Sequence, residues 1–130
     1  MLRICPSCKK MLDITNFYKV KYYKSGFSSW CIECTKLYGI KKREERRLKV
    51  LHHYSNGEIK CKLCGYSNVR ALVIDHINND GAIHKRALKK KLRYEAGSSD
   101  IYKDLIDRNM PIGFQVLCCN CNTIKQFGRN

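Results

Sequence analysis

The sequence has no apolar stretch long enough to cross a lipid bilayer. Its longest apolar runs, such as residues 71–74, fall far short of the roughly 20 residues that a membrane helix needs. The first residues also lack the apolar segment of a secretory signal peptide. We therefore expect a cytoplasmic, intracellular protein that does not associate with a membrane.

Acidic residues are scarce as well. The 130-residue chain has 11 Asp and Glu against 26 Lys and Arg, which gives a formal net charge of +15. So large an excess on one small domain, or on two very small ones, predicts a polyanionic partner. Nucleic acid is the leading candidate; an acidic membrane surface is the weaker alternative, and we do not expect a membrane partner.

Cysteine, by contrast, is abundant, with nine residues. Cysteines of an intracellular protein stay reduced, so clustered ones are more often metal ligands than disulfides. Eight of them form Cys-x-x-Cys pairs, and this spacing lets both thiolates face one tetrahedral zinc ion. The pairs are Cys5 with Cys8, Cys31 with Cys34, Cys61 with Cys64, and Cys118 with Cys121.

These pairs can combine in two ways. Sequential pairing puts the first two pairs on one zinc ion and the last two on another, whereas a cross-braced arrangement alternates them. We favour sequential pairing because a basic helical segment separates the two halves. A disulfide framework fits poorly with an odd number of cysteines, and an iron–sulfur cluster fits poorly with widely separated pairs. Cys119 is left over and is not expected to be a ligand.

The cysteines and the basic segment divide the chain into three parts. We expect residues 1–35 to form an N-terminal zinc-binding module, residues 36–54 a basic linker helix and residues 55–130 a larger domain. Each half is too small to bury a sufficient apolar core, so two structural zinc ions would supply much of the folding free energy. Most aromatic residues of the first module are expected in its core: Phe17, Tyr18, Tyr22, Tyr23, Phe27 and Trp30.

The hydrophobic pattern of residues 55–130 predicts a small α+β fold stabilised by zinc. Short apolar runs indicate strands, and basic segments with apolar residues at helical spacing indicate helices. Asn and Gly residues mark the turn between them. The predicted elements are a strand over 72–76, a turn over 78–81, helices over 82–95 and from Ser98 to near Pro111, a strand over 113–117 and a terminal helix over 118–126.

Two polar residues, Asp75 and His76, end the first of these strands. An oxygen ligand beside an imidazole suits a site where a hard cation and a general base act together. Asn120 and Asn122, which flank Cys121, are candidates for a further oxygen ligand. The alternative is that Asp75 and His76 only cap a turn, but cysteine pairs on both sides favour a functional site.

Taken in order, these motifs resemble those of the HNH endonucleases, the ββα-metal superfamily. The Asp-His pair and the Asn directly after the last cysteine are most similar to endonuclease VII-type and small phage HNH proteins. The resemblance covers about residues 58–127 and implies a ββα-metal (His-Me finger) core that follows the four-cysteine module. The matching motifs are Cys61-x-x-Cys64, Ile74-Asp75-His76-Ile77, Leu117-Cys118-x-x-Cys121-Asn122 and Lys125.

The resemblance implies a role for each matching residue. Asp75 and Asn122 would bind one catalytic divalent ion, Mg²⁺ or Mn²⁺, and His76 would be the general base that activates water. His84 would hold the scissile phosphate, or else be a surface histidine. The central Asn of the family motif has no counterpart, since its position falls near Gly113. The candidates to replace it are Asn78, Asn79 and Gln115.

The implied activity is hydrolysis of DNA phosphodiester bonds, by nicking or double-strand cleavage, to leave 5′-phosphate and 3′-hydroxyl ends. The DNA would be double-stranded or branched, and the setting phage-like or that of a mobile element. The oligomeric state stays open, a dimer included. The alternatives are a non-catalytic double-zinc nucleic-acid-binding regulator and a cross-braced protein-interaction module. Neither alternative explains Asp75, His76 and Asn122 in this order.

Positive charge is concentrated on both sides of the Asp75–His76 segment. Residues 54–81 are neutral overall, whereas residues 36–53 and 82–95 each carry a net +5. Basic stretches beside a neutral site would hold phosphates without occupying the site itself. The residues predicted to contact nucleic acid are Lys41, Lys42, Arg43, Arg46, Arg47, Lys85, Arg86, Lys89, Lys90 and Lys125.

Overall fold

The structure is a computed structural model of the chain and describes residues 1–128. The chain divides into two units, Met1–Glu44 and Glu45–Asn130. Four short strands precede the first α-helix, and two further strands lie among the helices that follow. Within the described residues, no helix is both long enough and apolar enough to span a membrane. The prediction of a small α+β fold is confirmed.

The first unit contains two antiparallel strand pairs, and a 3-10 turn over Ile14–Asn16 connects them. Asp13 caps this turn, because its carboxylate accepts a hydrogen bond from the backbone N–H of Thr15 at 3.0 Å. The paired strands are β1 (Leu2–Ile4) with β2 (Met11–Asp13), and β3 (Phe17–Lys19) with β4 (Phe27–Cys31).

The core of the first unit contains fewer aromatic side chains than we predicted. Phe17 is buried together with Cys5 and Cys31, and Phe27 packs against them while partly exposed. Cysteine side chains fill the centre of this small unit and leave little room for further rings. The predicted core aromatics that are in fact exposed are Tyr18, Tyr22, Tyr23 and Trp30.

The long helix α1 spans Ile32–Tyr54 and begins four residues before its predicted start at residue 36. The earlier start places Cys34 in the first turn, where its backbone N–H donates to the Cys31 sulfur at 3.4 Å. The second half of α1 belongs to the second unit, where Val50 and Leu51 are completely buried. The helix thus contributes apolar side chains to a core as well as basic ones to the surface.

An antiparallel pair of strands lies at the centre of the second unit, formed by β5 (Leu72–His76) and β6 (Phe114–Cys118). The register places Asp75 directly opposite Gln115. The last helix, α4 (Cys119–Phe127), follows β6 without a loop and contacts both strands. Both strands lie within one residue of their predicted positions.

Two further helices, α2 (Gly81–Leu92) and α3 (Ser98–Asp107), connect β5 to β6. The first ends three residues earlier than predicted, because Arg93 adopts the left-handed conformation with φ 64°. Gly97 immediately precedes α3, and its backbone N–H donates to the carboxylate of Asp100 at 2.9 Å.

Apolar side chains of the second unit form two clusters. One surrounds the strands and contains Leu51, Leu72 and Leu117 together with two of the cysteines. The other joins α1, α2 and α3 through residues such as Leu88 and Leu105. Tyr54 and Ile74 pack against both clusters, so the strand pair and the two connecting helices pack around one continuous core.

Candidate functional site

The cysteine pairs meet in two groups, as sequential pairing predicted. In each group the four Sγ atoms lie within 4.8 Å of one another, so each group could hold one zinc ion. The first group is Cys5, Cys8, Cys31 and Cys34, and the second is Cys61, Cys64, Cys118 and Cys121.

Each group contains the same tight turn after its first cysteine. The backbone N–H of Lys9 donates to the Cys5 carbonyl at 2.8 Å, and that of Gly65 donates to the Cys61 carbonyl at 2.9 Å. Both donors adopt left-handed backbone angles, with φ 64° at Lys9 and 76° at Gly65. Glycine takes this conformation without steric cost, which explains its place in the second turn.

The sulfur atoms of the second group influence one another's ionisation. Burial raises the pKa of the Cys61 thiol, but backbone N–H groups directed at its sulfur outweigh burial and bring the pKa down to about 6. The hydrogen bond with Cys118 raises the pKa of Cys121 to about 12. A divalent metal ion in this group would stabilise the thiolate form of the cysteines.

The second group ties together the ends of the central strand pair. Cys118 is the last residue of β6 and Cys121 lies in the first turn of α4, whereas Cys61 and Cys64 precede β5 in the chain. Cys119 is exposed and belongs to neither group, as predicted from its spacing. A metal ion in this group would anchor the β5–β6–α4 arrangement from one end.

A cavity of about 410 Å³ lies at the other end of the strand pair. Asp75 and His76, from the end of β5, line it together with Asn122 of α4. Lys85 of α2, which is exposed, lines the same cavity. The structure therefore brings Asn122 next to the adjacent pair Asp75 and His76, from which it is widely separated in the sequence, and these are the three residues that we predicted to form a site.

Two side chains hold the carboxylate of Asp75. Its Oδ2 atom accepts hydrogen bonds from Gln115 Nε2 at 2.8 Å and from Lys125 Nζ at 2.6 Å. Gln115, one of the three candidates to replace the central Asn of the HNH motif, thus contacts Asp75. The protein thus orients this carboxylate, which lines the cavity.

Asn122 has a buried side-chain oxygen, Oδ1, that has no hydrogen-bond partner among the described residues. Leaving such an atom unpaired costs about 1–3 kcal/mol, so it requires an explanation. The residue lines the same cavity as Asp75. Asp75 and Asn122 both line this cavity, and a carboxylate together with an amide oxygen is a donor set that suits hard cations such as Mg²⁺ and Mn²⁺.

The imidazole of His76 packs edge-on against two other rings. Its centroid lies 4.9 Å from that of Phe114, its register partner on β6, and 5.1 Å from that of His84. Burial lowers the pKa of His76 below its ordinary value, and the neighbouring His84 lowers it further. These contacts favour the neutral imidazole at neutral pH, which is the form that accepts a proton.

His84 lies in a different environment from either predicted one. Its Nδ1 atom lies 2.8 Å from His76 Nε2, and its Nε2 atom lies 2.8 Å from Asp104 Oδ2. With both ring nitrogens engaged, His84 has none left for a phosphate. Its side chain is 11% exposed, so it is not a surface histidine either.

Asp104 of α3 is a residue of the site that the sequence analysis missed. It and Asp75 are the only buried charged or polar side chains in the described part of the chain. Burial raises the pKa of Asp104, but hydrogen bonds from His84 and Arg108 outweigh burial and lower it, so the carboxylate stays ionised. The sequence contains one indication that Asp104 is buried. This acidic residue directly precedes Leu105 and lies on the face of α3 that the apolar residues define.

Two cations predicted to bind nucleic acid have partners inside the chain instead. The guanidinium of Arg47 donates to the carbonyl of Leu72 at 2.8 Å and also to that of Val69. Lys125 donates to the carboxylate of Asp75 and to the carbonyl of His76 at 2.8 Å. Both side chains donate hydrogen bonds to acceptors within the chain. We therefore assign them to the fold and the cavity rather than to a phosphate-binding surface.

The remaining predicted cations lie on the surfaces of α1 and α2. On α2, Lys85, Arg86 and Lys90 are exposed, and the exposed Lys89 pairs with Glu95. Those on α1 are Lys41 and Arg43, which are exposed, Arg46, which is partly buried, and Lys42, whose ammonium lies 5.5 Å from the centroid of the Tyr38 ring.

No protein-family model, curated protein or solved structure matches the chain. The function must therefore be inferred from the geometry of the two cysteine groups and of the cavity.

Proposed function

We propose that the protein is a metal-dependent endonuclease of the HNH type that hydrolyses phosphodiester bonds of DNA. The observation that carries this proposal is the cavity that Asp75, His76 and Asn122 line together. In this proposal β5, β6 and α4 are the ββα-metal core, the two cysteine groups hold structural zinc, and the cavity is the active site.

Asp75 and Asn122 are the residues that would hold the catalytic ion. The unpaired Asn122 Oδ1 and the carboxylate of Asp75 both offer hard oxygen donors, which is the chemistry that Mg²⁺ and Mn²⁺ select. When bound, such an ion neutralises charge on the phosphate and on the leaving oxygen. Gln115 and Lys125 keep the Asp75 carboxylate in place through its Oδ2 atom.

His76 is the group that would take a proton from the attacking water. The water oxygen forms a bond to phosphorus as its proton passes to the imidazole, and the bond from phosphorus to the 3′ oxygen breaks. The leaving oxygen acquires a proton from solvent, so the products are a 5′-phosphate and a 3′-hydroxyl. Lys85, which lines the same cavity, is placed to contact the phosphate.

The test is incubation of the purified full chain with supercoiled plasmid in the presence of Mg²⁺ or Mn²⁺. We expect conversion to nicked or linear DNA, with no conversion when divalent ions are left out. Binding of DNA without cleavage under any divalent ion would contradict the proposal and favour a non-catalytic double-zinc nucleic-acid-binding protein.

Replacing Asn122 with leucine should distinguish the role of this residue in metal-dependent cleavage from its effect on the stability of the fold. Asn122→Leu removes a buried unpaired oxygen, so we expect the free energy of unfolding without Mg²⁺ to rise by about 1 kcal/mol. Cleavage that depends on Mg²⁺ should fall by at least about 10²-fold. Asn120→Leu, an exposed neighbour on the same helix, is the matched control and should change neither quantity. Unchanged metal dependence in Asn122→Leu would remove this residue from the proposed site.

The exposed cations of α2 should set the salt dependence of DNA binding. Arg86→Ala and Lys90→Ala should each weaken binding of all DNA sequences alike and reduce the slope of log affinity against log salt by about 1. The control is Lys103→Ala on α3, because Lys103 is paired with Asp107 at 2.6 Å. Equal slopes in all three variants would show that α2 is not on the phosphate-binding surface.

A further inference from the structure

A chain of hydrogen bonds leads from the cavity to a buried carboxylate. His76 Nε2 lies 2.8 Å from His84 Nδ1, and His84 Nε2 lies 2.8 Å from Asp104 Oδ2. The side chains of His84 and Asp104 are 11% and 8% exposed, so water competes little for these contacts. Three side chains from β5, α2 and α3 thus form one internal network.

The direction of each hydrogen bond follows from the last member. Asp104 is ionised and can only accept, so the proton between it and His84 lies on His84 Nε2. In a neutral imidazole the other nitrogen then carries a lone pair. His84 Nδ1 must therefore accept, and the donor is the Nε2–H of His76.

The opposite direction would require a charged His84 with protons on both nitrogens. Arg108 makes this unfavourable, because its guanidinium already neutralises Asp104 through a 2.7 Å contact with Oδ2. The same guanidinium approaches His84 Nε2 to 3.3 Å. A second positive charge at His84 would meet this cation without a second carboxylate in the network to compensate it.

With its proton on Nε2, His76 has its lone pair on Nδ1. This nitrogen faces Gly81, where the Cβ atom of any larger residue would lie only 3.2 Å from it. Gly81 lines the cavity that also contains Asp75 and Asn122. His76 Nδ1, which can accept a proton, is thus on the side of the cavity. His76 Nε2, which carries a proton, is on the side of Asp104.

We propose that His84 and Asp104 are positioning residues that fix the tautomer and ring orientation of His76, so that its Nδ1 lone pair serves as the base in the cavity. The proposal rests on the proposed function for its catalytic meaning. Phe114 assists, since its ring contacts both imidazoles at centroid distances of 4.9 and 5.9 Å. His84 therefore acts through His76 and does not touch the phosphate.

The first test needs no DNA. Long-range ¹H–¹⁵N correlation spectra of the full chain report which nitrogen of each imidazole carries the proton. We expect His76 and His84 both to carry it on Nε2, with the His76 signals assigned from the His76→Ala variant. A proton on Nδ1 of His76 would overturn the proposal, whether or not the protein cleaves DNA.

The second test compares variants of His84 in the plasmid assay. His84→Leu removes the acceptor for His76 and should lower kcat by about 10- to 100-fold while KM stays unchanged. His84→Asn, whose side-chain oxygen can still accept from His76, should recover most of this loss. Asp104→Ala should lower kcat like His84→Leu, and Asp107→Ala, an exposed carboxylate of the same helix, should not.

These outcomes distinguish the two proposals. Absence of cleavage by the unmodified protein contradicts the proposed function, while the tautomer of His76 still decides whether the network is as described. An unchanged kcat in a folded His84→Leu variant overturns the positioning role, even if the protein is a nuclease. A parallel loss in His84→Leu and His84→Asn would also overturn it, because both variants would then act only by disturbing the fold.

Discussion

His76→Ala should lower the rate of plasmid cleavage by about 10²–10⁴-fold and leave DNA affinity nearly unchanged. The rate falls because general base catalysis contributes about this factor, and alanine cannot accept the proton of water. Affinity persists because the exposed cations of α2 remain in place. Single-turnover cleavage rates and binding isotherms at fixed salt concentration measure the two effects separately.

Two controls make this result specific. His52→Ala, an exposed histidine of α1, should cleave at the unmodified rate. Added imidazole should restore part of the rate of His76→Ala, because it can enter the space that the ring leaves, and should not restore Asn122→Leu. Cleavage by His76→Ala at the unmodified rate would show that another group activates the water.

Cys118→Ser should unfold the second unit. A structural zinc ion contributes on the order of 10 kcal/mol or more to folding, which is comparable with the whole stability of a typical small domain, about 5–15 kcal/mol. Cys118 belongs to a four-cysteine group and is also buried in the apolar cluster around β5 and β6. The variant should therefore lose helical circular dichroism, one of two bound zinc ions and all cleavage.

The neighbouring cysteine provides the matched control. Cys119 is exposed, belongs to neither group and differs from Cys118 by one position. Cys119→Ser should keep both zinc ions and the melting temperature of the unmodified protein. A Cys118→Ser variant that binds two zinc ions and melts at the same temperature would contradict a structural role for the second group.

The features of this protein that could be predicted from its sequence are local ones. The Cys-x-x-Cys spacing already brings two thiols within reach of one ion. Only the choice of which two pairs share an ion remained to be predicted. Strand β5 could be predicted as well, because its run of branched apolar residues is followed directly by the polar residues Asp75 and His76. The resemblance to HNH endonucleases then indicated Asn122, and the structure places all three residues around one cavity.

The features that could not be predicted depend on contacts between distant positions. Asp104 meets His84 across 20 residues, and Gln115 meets Asp75 across 40. No periodic pattern spans such separations, so neither contact leaves a signal in a single sequence. Only the folded arrangement of β5, β6, α2 and α3 brings these side chains together.

Counting charges also failed to separate cations of the surface from cations of the interior. Arg47 and Lys125 carry the same charge as their exposed neighbours, but backbone carbonyls and the Asp75 carboxylate lie within their reach. A long basic side chain can turn toward either solvent or an internal acceptor. Its choice depends on neighbours that the sequence does not identify.

The anchoring of β6 at its last residue has a consequence for how this chain can change in length. Cys118 is fixed within its group, and Gln115, three residues earlier, faces Asp75. One inserted or deleted residue between them would turn Gln115 to the opposite face of the strand, because side chains alternate along it. The mostly exposed connection between α2 and α3, residues 93–97, has no such restriction. Insertions and deletions in proteins built on this plan should accumulate in that connection and be absent from β6.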